Sequence, residues 1–280
     1  MGLQKEVWIA GIQENPIPDN SFVFASTDKS EYVENNKLHL AEAGVEPEVH
    51  ENYFAGSETD LPIATITDIP NEVVLNTYST DRTRHRNLQE IELQYNKRAS
   101  VTNRHKVALA KNIGVRAAFA WSPAVDNAYN KILVVGAGKF IDSVIKMKAF
   151  YRGLDIYDNL NICLTAEHMS MIEQEDYKLY KQILDGAKTL YGFKIFHYNK
   201  TALYTAANVK KPFGTVKAVD DKNCSFTWCS DETFRCFGDT ELFETIRSAA
   251  SQADEISFAQ RALVGNIRAS NPKYLGAILS

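Results

Sequence analysis

The chain has 280 residues, 45% apolar and 24% charged, with a net charge of −4 at pH 7. That composition is ordinary for a folded soluble protein, and the length allows a sizeable core in one large domain or two smaller ones. The net charge is too small to mark a nucleic-acid binder in bulk. Its distribution is uneven. Met1 to Thr80 carries 14 acids and 3 bases, net −11, whereas Asp81 to Ala118 carries 3 acids and 9 bases, net +6. The remainder has 18 acids and 19 bases, net +1.

The N-terminus, MGLQKEVWIAGIQENP, has no apolar run of secretory-signal length, and Glu6 breaks the myristoylation pattern. No segment approaches the ~20 apolar residues of a membrane span, so a soluble protein made in the cytosol is expected. From Leu3 to Tyr32 the chain reads as an arm. Val7, Trp8 and Ile12 are followed by Pro16, Pro18 and the apolar cluster Phe22, Val23 and Phe24. Such a segment buries little against itself, so Trp8 and Phe22 are expected to pack on a surface elsewhere.

Asn36 to Tyr78 reads as an extended hairpin. Leu38 and Leu40 alternate with Lys37 and His39, and the chain returns in the β-favouring Ile63, Ile66 and Val73 to Leu75. Between them lies a long acidic tip with Glu42, Glu46, Glu48, Glu51, Glu58 and Asp60, and it also carries Tyr53. Loops of this length are usually functional or interacting. Arg82, Arg84 and Arg86 follow; in an extended chain they share one side, suited to gripping carboxylates or phosphates.

Glu90 to Pro123 begins in strand-like alternation, Ile91, Leu93 and Tyr95, and continues as the longest helix. Asn96 or Ser100 is the expected cap, Leu109, Ile113, Ala117 and Ala120 the apolar face, and Ser122-Pro123 the stop. The first half of this helix holds Lys97, Arg98, Arg104, His105 and Lys106 with no acid among them.

Beyond it, a strand is expected at Asn130–Val135, a helix at Lys139–Arg152 stopped by Gly153, and strands at Leu160–Leu164 and Tyr191–Tyr198. A further helix opens at Thr165-Ala166-Glu167-His168, where Thr165 makes a weak capping box. Phe226 and Trp228 share a strand face. Together these form an α/β module. Thr240 to Ser251 fits either helix or strand. The end reads as a strand from Ile256, a turn at Asn271-Pro272, and a last strand through Ala277 to Leu279.

Enzyme-like signals are weak. Val134-Val135-Gly136-Ala137-Gly138-Lys139 follows a strand and precedes a helix, as a phosphate loop does. However, Ile141 is too bulky for the dinucleotide fingerprint, and Phe140 stands where an ATP loop needs a hydroxyl. The histidines, His39, His50, His85, His105, His168 and His197, are scattered singly. Cys163, Cys224, Cys229 and Cys236 match no common zinc spacing and read as reduced thiols. No catalytic residue, metal ligand or cofactor is assigned.

GLQKEVWIAGIQENPIPDNSF, NKLHLAEAG, ELQYNKRASVTNRHK, ADEISFAQRALVGNIR and YLGAILS resemble, in the same order, phage major capsid proteins of the Hong Kong 97 fold. The resemblance spans the chain except about Thr201 to Thr245. It implies an α+β architecture with an N-terminal arm (1–35), an E-loop (36–78), a peripheral domain (79–129 and 246–280) and an axial α/β domain (130–245). A spine helix at about 96–121 would run through the peripheral domain. The family assembles hexamers and pentamers into an icosahedral virion shell around double-stranded DNA, alongside portal, scaffolding and cement proteins, with no membrane. Some members begin with a cleaved scaffolding segment; here the sequence opens in the arm, so a fused scaffold is expected to be absent or already removed. The alternatives are an encapsulin-like compartment and a nucleotide-binding α/β enzyme.

On this reading the acidic loop and arm lie across a neighbour's basic helix. Glu42, Glu46, Glu48 and Glu51 would face Arg82, Arg84, Arg86, Lys97, Arg98 and Arg104, while Trp8, Phe22 and Tyr53 supply apolar contact between subunits.

Overall fold

The structure, a computed structural model, describes residues 19–34, 37–42, 47–55, 59–63, 69–85, 97–136, 139–248 and 253–280. After a short 3-10 turn at Ser21–Phe24 the chain forms β1 (Thr27–Asp28), a second turn at Ser30–Tyr32, and β2 (Val33–Glu34). Strands β3 (Lys37–Glu42) and β4 (Ile69–Val74) make the expected hairpin, and β5 (Asn76–Ser79) and β6 (Thr83–His85) lead towards helix α1 (Lys97–Ala120). An α/β stretch follows: β7 (Asn130–Val134), α2 (Phe140–Gly153), β8 (Leu160–Leu164), α3 (Ala166–Glu175), α4 (Tyr177–Leu184), β9 (Thr189–Leu190) and β10 (Phe193–His197). The chain ends in β11 (Cys224–Cys229), β12 (Thr233–Ser248), β13 (Ala253–Asn266) and β14 (Leu275–Leu279).

Helix α1 forms where the apolar spacing places it. Leu109, Ile113, Ala117 and Ala118 are buried along one stripe. Ser100 lies inside the first turns of the helix and so is not its cap, while Asn96 and the expected strand before it lie outside the described residues. The C-terminal end is closed by side chains. Asn266 Nδ2 donates to Ala120 O at 3.0 Å, Ser122 Oγ to Ala118 O at 2.7 Å, and Lys210 Nζ to Phe119 O and Ser122 O, both at 2.7 Å. These donors satisfy carbonyls that have no partner inside the helix, and the ammonium complements its dipole.

Among the described residues three sheets form. The six-stranded one has the order β7-β14-β11-β8-β10-β9. β8, β11 and β14 are buried at every position at the centre of a covered sheet, with Asn161, Ser225 and Thr227 the polar members of otherwise mainly apolar strands. Helix α2 covers it through Phe140, Val144, Met147 and Tyr151, with the Tyr151 hydroxyl held between Thr227 Oγ1 and Tyr274 O at 3.1 Å each. The five-stranded sheet runs β1-β12-β13-β5, with β6 also on β13, and α1 packs on it where Leu109 meets Ile256 and Phe258. The third sheet is β2-β3-β4. Its Leu38 and Leu40 are buried with Leu75, Phe234, Cys236 and Leu263, fixing the hairpin base to the five-stranded sheet.

Several expectations are corrected. The ambiguous Thr240–Ser251 stretch is strand through Ser248, because β13 pairs it residue by residue from Thr240 to Thr245. The expected boundaries at 245/246 do not follow the sheets. β12 belongs with β5 and β6, whereas β14, placed by the resemblance in the peripheral segment 246–280, lies between β7 and β11 in the other sheet. Its residues are apolar on both faces and need a central position. Gly153 is the last residue of α2 and not its left-handed stop; the reversal comes at Asp155, with φ of 59°.

Phe22 is fully buried within its own subunit, with ring centroids 4.9 Å from Tyr198, 5.9 Å from Trp121 and Phe226, and 6.2 Å from Trp228. It has no surface left for a neighbour, which corrects its expected role between subunits. Trp228 Nε1 donates to Ala25 O at 2.8 Å, and Arg235 donates to Phe24 O and Ser26 O, so residues 20–28 are a built-in strap. All four cysteines are buried free thiols.

Candidate assembly surface

The hairpin presents the acidic tip. β3 is opposed by β4 in the register Lys37↔Val74 to Glu42↔Ile69, and the tip is the segment between them. A Lys37–Glu72 ion pair near the base lowers the Glu72 carboxyl through hydrogen bonding from the lysine. Glu48 and Glu51 are exposed on the segment between the strands. The side chain of Glu42, like the whole of Glu46, lies outside the described residues, as does Trp8. Tyr53 is half-buried within the tip itself: its hydroxyl donates to Asp60 O at 3.2 Å, and its ring lies 5.3 Å from His50 and from Phe54. Val49 and Ile63 are almost wholly exposed, and Phe54 and Leu61 are exposed beside them. This apolar set was missed by a reading that followed the acids, although Val, Phe, Leu and Ile in a charged loop are themselves a signal.

The basic side is more divided than its sequence. Arg84 sits opposite Glu255 in the β6–β13 register and donates from Nε and Nη2 to Oε1 at 3.1 and 2.9 Å. Arg82 Nη1 lies 3.2 Å from Oε2 of the same carboxylate. Both guanidiniums remain more than half exposed, yet each has an acid partner in its own sheet. Arg86 lies outside the described residues, and Lys97 and Arg98 occupy the first turn of α1 with side chains that do too. Arg104 and Lys106 are exposed.

His105 is not part of the exposed track. It is buried, and its Nδ1 and Nε2 each lie 2.8 Å from a hydroxyl, of Thr80 and Thr83 respectively. Thr80 Oγ1 accepts from Phe258 N, while Thr83 Oγ1 donates to Ile256 O at 3.3 Å. Each hydroxyl has one proton. When one ring N–H donates to one threonine and the other ring nitrogen accepts from the second, that second hydroxyl gives up its own 3.3 Å bond to a strand carbonyl, Phe258 O for Thr80 or Ile256 O for Thr83. Either arrangement is a neutral imidazole, in keeping with the lowering of its pKa by burial.

Arg116 was also missed. It lies between two rings, 4.6 Å from the Tyr78 centroid and 4.7 Å from that of Phe213, and so ties α1 to β5 and to the 205–222 loop.

Among the described residues, the interior brings one histidine against a serine hydroxyl. His168 Nδ1 lies 2.6 Å from Ser225 Oγ, but both residues are fully buried, and burial lowers the His168 pKa to about 4. No substrate reaches that pair. Gly136 and Lys139 close a turn through Lys139 N to Gly136 O at 3.0 Å; residues 137–138 of the phosphate-loop motif lie outside the described set. Among the described residues no three His, Cys, Asp or Glu side chains gather as metal ligands, and no helix is long and apolar enough to cross a membrane.

No family model matches the sequence, and no curated protein matches it. Solved structures do. A chain in the structure of Mycobacterium phage Che8 superposes with a TM-score of 0.74 at 14% identity, covering 99% of this chain and 97% of that one. A chain of the bacteriophage PhiM1 mature capsid gives 0.67 at 10% identity, covering 99% and 91%. One from the capsid of a native GTA particle gives 0.66 at 11% identity, covering 100% and 95%. At these identities the likeness is one of fold, and the chain has the α+β architecture of the PhiM1 and GTA capsids, the Hong Kong 97 type.

Proposed function

We propose that the chain is a major capsid protein that assembles as hexamers and pentamers into the icosahedral virion shell of a tailed phage, enclosing its double-stranded DNA. The observation that carries this reading is the extent of the likeness. Capsid chains match over 99% and 100% of this chain and over 91% and 95% of their own length. The projecting hairpin, with exposed Val49, Phe54 and Ile63 around Glu48 and Glu51, is a surface that one subunit cannot bury and a neighbour can.

In this assembly the hairpin is the E-loop and α1 the spine. The peripheral unit is the five-stranded sheet with α1, and the axial unit is the six-stranded sheet with its helices. The acidic tip lies across the exposed basic positions of a neighbour's α1, Arg104 and Lys106 foremost, since Arg82 and Arg84 already share Glu255. Apolar tip residues supply most of the binding energy and charge guides encounter. Portal, scaffolding and cement proteins are the further partners, packaged DNA a non-specific one, and the host cytoplasm the place of synthesis. Electron microscopy of the purified protein tests the reading: closed shells with five- and six-fold capsomers are expected. A protein that stays monomeric across salt and concentration series, with and without a co-expressed scaffold, would overturn it.

A further inference from the structure

Two apolar surfaces beside the six-stranded sheet stay exposed among the described residues, and they carry opposite charge. The first is the 205–222 loop, which is firmly held. Thr205 N donates to Val209 O and Lys211 N to Leu203 O, both at 2.8 Å. The Asp221 carboxylate takes Lys211 Nζ and Ala218 N at 2.6 Å each, and the Phe213 ring lies 5.3 Å from that of Phe119 on α1. Yet this fixed loop turns Val216 and Val219 to solvent, 85% and 100% exposed, with exposed Lys217 between them. Apolar side chains displayed on a rigid loop are ready for contact, because little order is lost when they bind.

The second surface is the outer face of α3 and α4. Leu179 and Ile183 turn α4 inward, whereas Tyr177 and Leu184 are 65% and 64% exposed. Glu173 is exposed one turn before Tyr177, and Asp176 fixes the start of α4 by accepting from Lys178 N and Leu179 N at 2.9 and 3.1 Å. Residues 166–185 carry 5 acids and 2 bases, while residues 209–219 carry 3 bases and no acid. Lys210 and Lys211 are engaged inside the subunit, which leaves Lys217 as the cation at the loop's tip.

These surfaces belong to opposite faces of one sheet. Successive strand residues Ile162 and Cys163, and Ala277 and Ile278, fall into two separate cores. The loop sits on Phe119 with the core of Cys163 and Ala277, and α4 packs into the core of Ile162 and Ile278. A patch on one face cannot cover its complement on the other within a single chain. Two copies related by a rotation can join them head to tail, and such a contact makes a ring when the rotation closes.

We infer that Val216, Lys217 and Val219 of one copy dock on Glu173, Tyr177 and Leu184 of a second copy of this chain. The valines cover the tyrosine and the leucine, and the Lys217 ammonium meets the Glu173 carboxylate. This deepens the capsid reading and rests on it, the second copy being the next subunit of the same capsomer.

The test uses the full chain under the conditions in which it assembles. The four native thiols are buried, so L184C/V219C offers two new reactive ones. A short bismaleimide should join chains into a ladder reaching pentamers and hexamers on denaturing gels. Peptide mass spectrometry should place each bridge between positions 184 and 219, and neither single variant should pass beyond dimers. A bridge within one chain overturns the inference, and so do shells that give no ladder; shells without a ladder leave the capsid reading standing. A chain that never associates overturns both. Val216→Asp/Val219→Asp should raise the concentration needed for association at least about tenfold, with the melting temperature of the unassembled subunit unchanged. Association at the wild-type concentration also overturns the docking.

Discussion

Lys210 holds the end of α1 through Phe119. Its Nζ lies 2.7 Å from the Phe119 carbonyl oxygen and 4.0 Å from the centroid of that residue's ring. The same ammonium reaches Ser122 O, so one side chain from the 205–222 loop closes two carbonyls at the helix terminus. Lys210→Met keeps the aliphatic stem and removes the donor. The expected cost is about 2 kcal/mol in equilibrium unfolding near pH 7, the usual penalty for losing a charged donor to half-buried acceptors. A change under about 0.5 kcal/mol would show that water replaces it.

His168 makes the fold acid-sensitive. Burial lowers its pKa to about 4, partly opposed by the Glu167 charge, whereas an unfolded histidine titrates at 6.5. Between those values the unfolded chain binds the proton and the folded chain does not, so stability rises with pH there and is fully present above 6.5. On acidification from pH 6.5 to 4 this residue alone removes about 3 kcal/mol. Urea midpoints at pH 7, 5 and 4 should fall more steeply for the wild type than for His168→Asn; parallel slopes would exclude the residue as the cause.

Gly114 sits in the middle of α1, where alanine is ordinarily worth about 1 kcal/mol more than glycine. Here a Cβ would collide with Asn20 Oδ1 of the strap and stand 2.8 Å from the Tyr198 hydroxyl. Overpacking of that kind costs about 1–3 kcal/mol, so Gly114→Ala should destabilise despite its helix propensity. A gain in melting temperature would mean that the strap does not cross the helix at this point.

Charge reversal can test assembly without touching the folded subunit. Reversing Arg84 is a poor probe, since it would set two acids opposite each other across β6 and β13. Glu48→Lys/Glu51→Lys alters exposed positions only. It should slow shell formation about tenfold at low salt, an effect that fades by ~0.5 M salt as the screening length shrinks. Adding Arg104→Glu/Lys106→Glu should restore the rate. Light scattering during assembly reads both, and a double swap no better than the single one would remove this pairing.

How much of this was legible in the sequence depended on the range of the interaction. Leu109, Ile113 and Ala117 repeat at helical spacing and Pro123 follows, so the end of α1 was found almost to the residue. Leu38 and Leu40 likewise announced β3 by alternation. What escaped was set by partners far along the chain. Arg84 meets an acid 171 positions away, and Phe22 finds its rings among residues from 121 to 228. Local patterning carries no trace of either. The same limit misassigned β14, because Leu275 to Leu279 states that a strand will be buried but not in which sheet. Of the expected contact surface, the exposed acids could be read from charge alone, whereas His105 could not be separated from its basic neighbours until its two threonines were seen.

The position of β14 also orders events in time. It pairs in parallel with β7 and antiparallel with β11, and so separates two strands that the chain completes long before it. While residues 275–279 are still inside the ribosome, the six-stranded sheet consists of two unclosed pieces with bare edges. Closing that gap is a non-local and therefore slow step. Until β14 fills that gap, β7 and β11 each leave an edge whose N–H and C=O groups have no strand partner there.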